Sequence, residues 1–147
     1  MKNISQSLNI FSGTPGLGGA LTAPTELAYR KGSIQARYPV EYAGKRYPDV
    51  ELAYKVLTAA GTDDEDELFA SLLAHRFEQH PALLNEVTRR GGVGFLERCS
   101  HLTGGKSVDA LSWEGTGRAS RYITVLIRAY EMAMSGEVEA KGQVSLF

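Results

Sequence analysis

Apolar residues recur at helical spacing in several stretches of the chain, and the last stretch is the most regular. Its apolar positions fall at offsets 0, 3, 4, 7 and 11: Ile123, Leu126, Ile127, Tyr130 and Met134. This spacing lines one face of a helix with 3.6 residues per turn, and Gly136 follows where such a helix would end. The pattern predicts a long amphipathic helix at the centre of the core.

Two earlier stretches have the same periodicity together with signals for their ends. The first helix is expected to begin at Pro48 or Asp49 and to end at Gly61, because aspartate is a favourable N-cap and glycine a common stop. Thr62 to Glu65 has the spacing of a capping box and predicts the start of a second helix. The apolar stripe that follows carries this second helix to about Gln79.

Shorter helices are expected after the second one. Pro81 suits the first turn of a third helix, and the glycine pair at 91 and 92 is expected to end it. A fourth short helix is predicted over Val93 to Arg98.

The strand signals are few and short. Arg37 to Tyr42 and Lys45 to Tyr47 carry aromatic and β-branched residues on either side of an Ala-Gly pair, which predicts a small hairpin. Ser7 to Phe11 predicts a further short strand. Gln143 to Phe147 is either an edge strand or part of a loose tail.

Two stretches read as irregular connections. Ser12 to Ala23 is rich in glycine, threonine and proline, which predicts a flexible surface loop bordering a pocket. Its glycines, at 13, 16, 18 and 19, fit neither the dinucleotide fingerprint nor the phosphate-loop pattern. His101 to Gly117 is broken up by glycine and serine around the lone Trp113, and it predicts an irregular loop lining a site.

Together these elements predict a helix-rich α+β domain with a small β-hairpin. The 147 residues are enough to bury one core, and 43% hydrophobic with 22% charged residues is ordinary for a globular domain. A net charge of -1 argues against bulk electrostatic binding of nucleic acid. The single Cys99 and the lack of a long apolar run predict a cytoplasmic protein that is neither secreted nor membrane-spanning.

Several segments resemble the NADAR family of N-glycosidases, in matching order and spacing. Residues 38–54 resemble the family's hairpin and the helix that opens with its "SVEHAYQ" pattern, and residues 76–83 resemble its "KFxQHPEL" segment. Residues 94–97 stand where the family has a turn into its active-site loop. Residues 113–118 resemble its Trp-Gly start before the last helix, and Phe11-Ser12 matches part of its "FSNF" opening.

The resemblance implies a single NADAR-like domain over residues 1–147, with an atypical insertion around 13–36 and a tail at 137–147 that is expected to be loose. The segment at 119–121 and the longer loop at 100–112 also depart from the family pattern. By resemblance the protein is a metal-independent hydrolase without a cofactor. It would cleave the N-glycosidic bond of an ADP-ribose-like or ribosyl-nucleotide substrate, including ADP-ribosylated guanine carried on nucleic acid.

Glu51 is the candidate catalytic residue. Cleavage of a ribosyl C–N bond passes through a cation-like sugar, so a nearby carboxylate can stabilise the charge or take a proton from the incoming water. Glu51 lies in the first turn of its helix, beside the apolar stripe rather than in it. The alternative is a plain surface ion pair, since Glu51 and Lys55 have the favourable i, i+4 spacing.

Trp113, Phe11 and Ser12 are candidates for binding the base or the ribose. Trp113 offers a flat face on which a base can stack, although a lone tryptophan is also a common core residue. Phe11 and Ser12 are expected to border the same pocket, and the alternative for Phe11 is simple burial.

The candidate phosphate contacts are cations. Arg118 and Arg121 stand at the start of the last helix, where guanidinium groups and helix-start amides can hold a diphosphate. Lys55 is a further candidate, and Arg30 with Lys31 is a second, weaker one. The alternative for each is a solvated side chain.

Other chemistries have little support in the sequence. His75 and His80 are five residues apart and have no partners at metal-ligand spacing, so no metal site is expected. Cys99, His101 and Asp109 contain the residue types of a thiol triad, but Cys99 fits a small buried residue equally well.

Two non-catalytic hypotheses stand beside the glycosidase. One is a protein that sequesters ADP-ribose or a related nucleotide without turning it over, which the altered segment after Gly117 motivates. The other is a helical interaction domain with no small-molecule site.

Overall fold

Helices dominate the computed structural model, which describes residues 8–105 and 107–138 and gives only the backbone of residues 109 and 110. The helices are α1 (Leu17–Ala20), α2 (Thr25–Arg30), α3 (Val50–Ala60), α4 (Glu65–Gln79), α5 (Pro81–Arg89), α6 (Val93–Glu97), α7 (Val108–Trp113) and α8 (Arg121–Ser135). The strands are β1 (Val40–Tyr42), β2 (Lys45–Tyr47), β3 (Ser100–His101) and β4 (Gly115–Thr116). This architecture confirms the predicted helix-rich α+β class.

The core is built around α4 and α8, which pack against each other more extensively than any other pair of described elements. The last helix is therefore central, as its apolar spacing predicted. One of its predicted core positions is wrong: Met134 is exposed, whereas Met132 is fully buried. The reason is that α8 is buried on more than one side, with Val125 and Met132 on the side opposite Ile127, so a single-face pattern does not describe it.

The predicted helix ends are mostly confirmed, and one start is corrected. Asp49 is the N-cap of α3, and α4 ends at Gln79. The capping box at Thr62 is wrong, because α4 begins two residues later with Asp64 as its N-cap. The Asp64 carboxylate accepts a hydrogen bond from the amide of Glu67 at 3.0 Å. A carboxylate next to the first turn is a strong cap in its own right.

The hairpin and the shorter helices lie close to where they were predicted, although the first hairpin strand begins at Val40 and not at Arg37. β1 and β2 pair antiparallel, with Val40 opposite Tyr47. α5 starts at Pro81, and α6 spans most of the predicted fourth helix. The strand expected at Ser7 to Phe11 is reduced, among the described residues, to one bridge between Asn9 and Ser100. The edge strand expected at 143–147 lies outside the described residues.

The stretch from Ser12 to Ala23 corrects the prediction of a flexible surface loop. It contains α1, and residues 18–23 are buried. A Cβ added to Gly18 would lie 2.6 Å from the carbonyl oxygen of Asn9, and one added to Gly19 would lie 2.9 Å from Ile34 Cγ2. These two glycines therefore permit close packing.

The predicted irregular loop from His101 to Gly117 is more ordered than expected. It contains α7, and its ends form the β3–β4 pair, in which Ser100 lies opposite Thr116. These strands are only two residues long, which is too short for a periodic pattern to be recognised. None of the described helices has both the length and the apolar character needed to cross a membrane.

Candidate functional site

A surface groove of about 390 Å³ lies between α2 and the first turns of α3, and Glu51 is in its wall. Its volume is within the range of small-molecule sites. The lining residues are Pro24, Glu26, Leu27, Arg30, Pro48, Asp49, Glu51, Leu52 and Lys55. Apolar side chains and charges of both signs therefore meet in one concave surface.

The groove exists because Asp49 caps two helices at once. Its Oδ1 accepts a hydrogen bond from the amide of Leu52 at 2.9 Å, at the start of α3. Its Oδ2 accepts one from the amide of Glu26 at 3.0 Å, in the first turn of α2. Because the Asp49 side chain is buried, both bonds are partly shielded from water. The two walls of the groove are thus joined at their N-terminal ends.

A buried arginine holds the segment that leads into α2. Arg76 on α4 is fully buried; it donates to the carbonyl of Thr22, and its Nη2 donates to the carbonyl of Leu21 at 2.9 Å. The Tyr122 hydroxyl donates to the same Leu21 carbonyl at 2.6 Å. Next along the chain, the carbonyl of Ala23 accepts a hydrogen bond from the amide of Glu51 at 3.3 Å. The wall opposite Glu51 is therefore fixed to the core.

Glu51 itself is half-buried and paired. Its carboxylate lies 3.0 Å from the Lys55 ammonium, and 36% of the Glu51 side chain is exposed, compared with 67% for Lys55. The hydrogen bond and charge of Glu51 raise the pKa of Lys55. The predicted surface pair thus exists, and it lies inside the groove. Glu51 keeps enough exposure to meet a ligand.

The charge of Glu51 also reaches the core. Burial raises the pKa of the Tyr122 hydroxyl to about 12, with a smaller contribution from Glu51 in the same direction, while Arg76 opposes the shift. Tyr122 therefore stays protonated and keeps donating to the Leu21 carbonyl at any physiological pH.

Trp113 does not line the groove with Glu51. The guanidinium of Arg121 stacks on its ring at 3.8 Å, and the same guanidinium makes an ion pair of 2.6 Å with Asp66. Trp113 and the helix that carries Glu51 are linked through Tyr54, which lies one turn along α3 from Glu51. The centroid of the Tyr54 ring lies 6.4 Å from that of the Trp113 ring. Trp113 is only partly buried, so it is neither a fully buried core residue nor a fully exposed stacking surface.

The remaining candidates lie in other places. Arg118 makes a 2.8 Å ion pair with Glu97, outside the groove. Ser12 is buried, and its hydroxyl accepts a hydrogen bond from the Lys31 ammonium at 2.7 Å. The same ammonium lies 4.6 Å from the centre of the Phe11 ring. Phe11 and Ser12 thus hold the residue that follows α2, and they do not border the groove.

No metal centre is assembled in the described part of the chain, and Cys99 and His101 are unsuited to a thiol triad, while the side chain of its third suggested member, Asp109, lies outside the described residues. No group of three or more metal-ligating side chains is found among the described residues. Cys99 is fully buried, and burial raises the pKa of its thiol to about 11, so it is a poor nucleophile. The ring of His101 is engaged elsewhere, since its Nδ1 lies 2.7 Å from the carbonyl oxygen of Ile10.

Sequence reasoning missed the residues that build the groove. Asp49 was expected to cap α3, but its second bond, to α2, depends on a contact between segments 23 residues apart. Arg76 lies between His75 and Phe77 on α4, and nothing local distinguishes it from a solvated arginine. The only available signal in the sequence is the mostly apolar stretch from Phe69 to Ala74 that precedes it, which the structure shows to be buried.

Comparison of the chain with protein-family models, with curated proteins and with solved structures finds no match. The resemblance to the NADAR family therefore rests on the segments quoted above.

Proposed function

We propose that the protein is an N-glycosidase that hydrolyses an ADP-ribose-like or ribosyl-nucleotide substrate, with Glu51 as its catalytic carboxylate. The observation that carries this proposal is the position of Glu51 in the wall of the α2–α3 groove. The resemblance to the NADAR family supplies the substrate class. The expected cytoplasmic location belongs to the same proposal.

The groove suits the chemistry of a ribosyl C–N bond. The apolar side chains of Leu27 and Leu52 offer surfaces for a base or a sugar, and both are exposed enough to be covered by a ligand. A substrate held there would place its anomeric carbon near the Glu51 carboxylate. The carboxylate would stabilise the positive charge that develops on the sugar, and it would accept the proton of the attacking water.

Fixed geometry supports this role for Glu51. Its backbone amide donates a hydrogen bond to the carbonyl of Ala23, and the helical turn that carries it is capped by the buried Asp49. A carboxylate on a well-anchored first turn is held in one place, as general-base catalysis requires.

The second candidate is a protein that binds such a ligand without turnover. The 3.0 Å ion pair with Lys55 favours this alternative, because a carboxylate oxygen that is already in contact with an ammonium is less accessible to a ligand or a water. Turnover would require the ligand to compete for Lys55.

The test is to incubate the wild type, Glu51→Gln and Glu26→Gln with guanine-linked ADP-ribose, NAD and ribosyl-pyrimidine phosphates, following base release by chromatography. Glu26 is the matched control, because it lines the same groove but pairs with Arg37 at 3.6 Å. Glu51→Gln is expected to lose turnover by about 10²–10⁴-fold, while Glu26→Gln keeps most of it.

Undiminished turnover in Glu51→Gln would show that Glu51 is not the catalytic carboxylate. Saturable binding of one compound, with no base released by the wild type over many hours, would favour the sequestering protein instead.

A further inference from the structure

The charged side chains of the groove are almost all occupied by partners within the protein. Asp49 uses both oxygens on backbone amides, Glu26 pairs with Arg37, and Glu51 pairs with Lys55. Arg30 is the exception: within the described part of the chain its side chain has no hydrogen bond, ion pair or ring contact. An exposed guanidinium with all its donors unused therefore stands at the edge of the groove.

Arg30 is carried by a wall that is held at both ends. Asp49 holds the first turn of α2 through the amide of Glu26. Beyond the last turn, the ammonium of Lys31 donates to the buried Ser12 hydroxyl at 2.7 Å. The backbone of Arg30 is therefore positioned before any ligand arrives, which lowers the ordering cost of binding.

We propose that Arg30 anchors a phosphate group of the ligand, and that α2 thereby selects phosphorylated ribosyl compounds over uncharged nucleosides. This inference rests on the proposed function, since it concerns the ligand of the same groove. Arginine matches the geometry of phosphate through two parallel N–H donors. Lys55 is less suited to this task because its ammonium is already bound to Glu51.

The arrangement divides the ligand into two parts. The phosphate lies at Arg30 on α2, and the uncharged ring lies over the exposed Leu27 and Leu52, towards Glu51 on α3. Affinity for the phosphorylated ligand should therefore fall as salt concentration rises, whereas affinity for a nucleoside should not.

The experiment is calorimetric titration of the wild type, Arg30→Gln, Arg30→Lys and Arg89→Gln with ADP-ribose and, separately, with adenosine. Arg89 is the matched control, because it is an exposed arginine on α5 outside the groove and its loss changes the net charge equally. Arg30→Gln should weaken ADP-ribose binding by roughly ten- to a hundredfold and leave adenosine binding unchanged. Arg30→Lys should bind ADP-ribose more tightly than Arg30→Gln but less tightly than the wild type, since lysine keeps the positive charge without the two parallel N–H donors of arginine.

The proposal is overturned if Arg30→Gln binds ADP-ribose like the wild type, if Arg89→Gln loses as much, or if ADP-ribose does not bind at all. Titration of Glu51→Gln with ADP-ribose, read together with the base-release assay, separates the phosphate anchor from the glycosidase. Binding that depends on Arg30 without any base release leaves the anchor standing and removes the enzyme. Base release by Arg30→Gln with an unchanged KM does the reverse.

Discussion

Replacing Asp49 with alanine tests how the groove is built. The Asp49 carboxylate accepts hydrogen bonds from the amides of Leu52 and Glu26, so its removal breaks the contacts that hold the starts of α3 and α2 together. Asp64 is a matched comparison, since it caps α4 through a single bond to the amide of Glu67. Asp64 is exposed, whereas Asp49 is buried.

The expected difference follows from the number and burial of these bonds. Loss of an N-cap costs about 0.5–2 kcal/mol, so Asp64→Ala should destabilise the fold by about 1 kcal/mol. Asp49→Ala loses two caps and leaves two part-buried amides without their acceptor, which should cost about 3 kcal/mol. For a chain of this length, 1 kcal/mol corresponds to roughly 2–4 °C in Tm, so the expected shifts are roughly 6–12 °C for Asp49→Ala and 2–4 °C for Asp64→Ala.

The assay is thermal and urea unfolding of the two variants and of Asp49→Asn, followed by circular dichroism. The asparagine side chain would keep one oxygen for the amide of Leu52 but turn its N–H₂ group towards the amide of Glu26, so this variant should fall between the other two. If Asp49→Ala is no less stable than Asp64→Ala, the double cap does not hold α2 on α3, and the account of the groove is wrong.

Two further predictions concern titratable groups whose pKa is shifted by burial. Cys99 should react with a thiol reagent such as DTNB only slowly in the native protein and rapidly in urea, because it is fully buried and its thiol pKa is raised to about 11; rapid native labelling would contradict this. Burial lowers the pKa of His101 below its ordinary value of 6.5. Between the lowered pKa and 6.5, the unfolded chain therefore binds a proton that the native protein does not bind. The free energy of unfolding should fall as the pH drops through this window. Urea unfolding at pH 5.5 and 7.5 should show a smaller difference for His101→Gln than for the wild type, and equal differences would refute the assignment.

The parts of the fold that follow from sequence are those whose causes are local. The N-cap at Asp49, the stop at Gly61 and the first-turn proline at 81 each act within a few residues, and each lies where it was expected. The apolar period of α8 is also local, but it identifies only one face. That is why Met132, on the opposite side, was not recognised as part of the core.

The candidate site was predictable only in part, for a related reason. Glu51 and Lys55 are neighbours on one helix, so their ion pair could be foreseen from their spacing. The groove around them depends on contacts between distant segments, such as that between Arg76 and the carbonyls of residues 21 and 22. Trp113 and Arg118 are candidates for the same site because of their chemistry and their positions in the chain, and the structure places them outside the groove.

Residues 13–36, which were predicted to be an insertion, contain α2 and therefore complete the groove. Without α2, Glu51 would stand on an open helix face, where its pair with Lys55 would be an ordinary surface contact of small energetic value. The buried Arg76 has no carboxylate partner within the described part of the chain, and it is stabilised instead by the carbonyls of the residues that lead into α2. Removing one partner of such a contact leaves a buried charge poorly compensated, so the core and this segment depend on each other. The residues that lead into α2 are thus integral to the fold, and α2 itself forms one wall of the candidate groove.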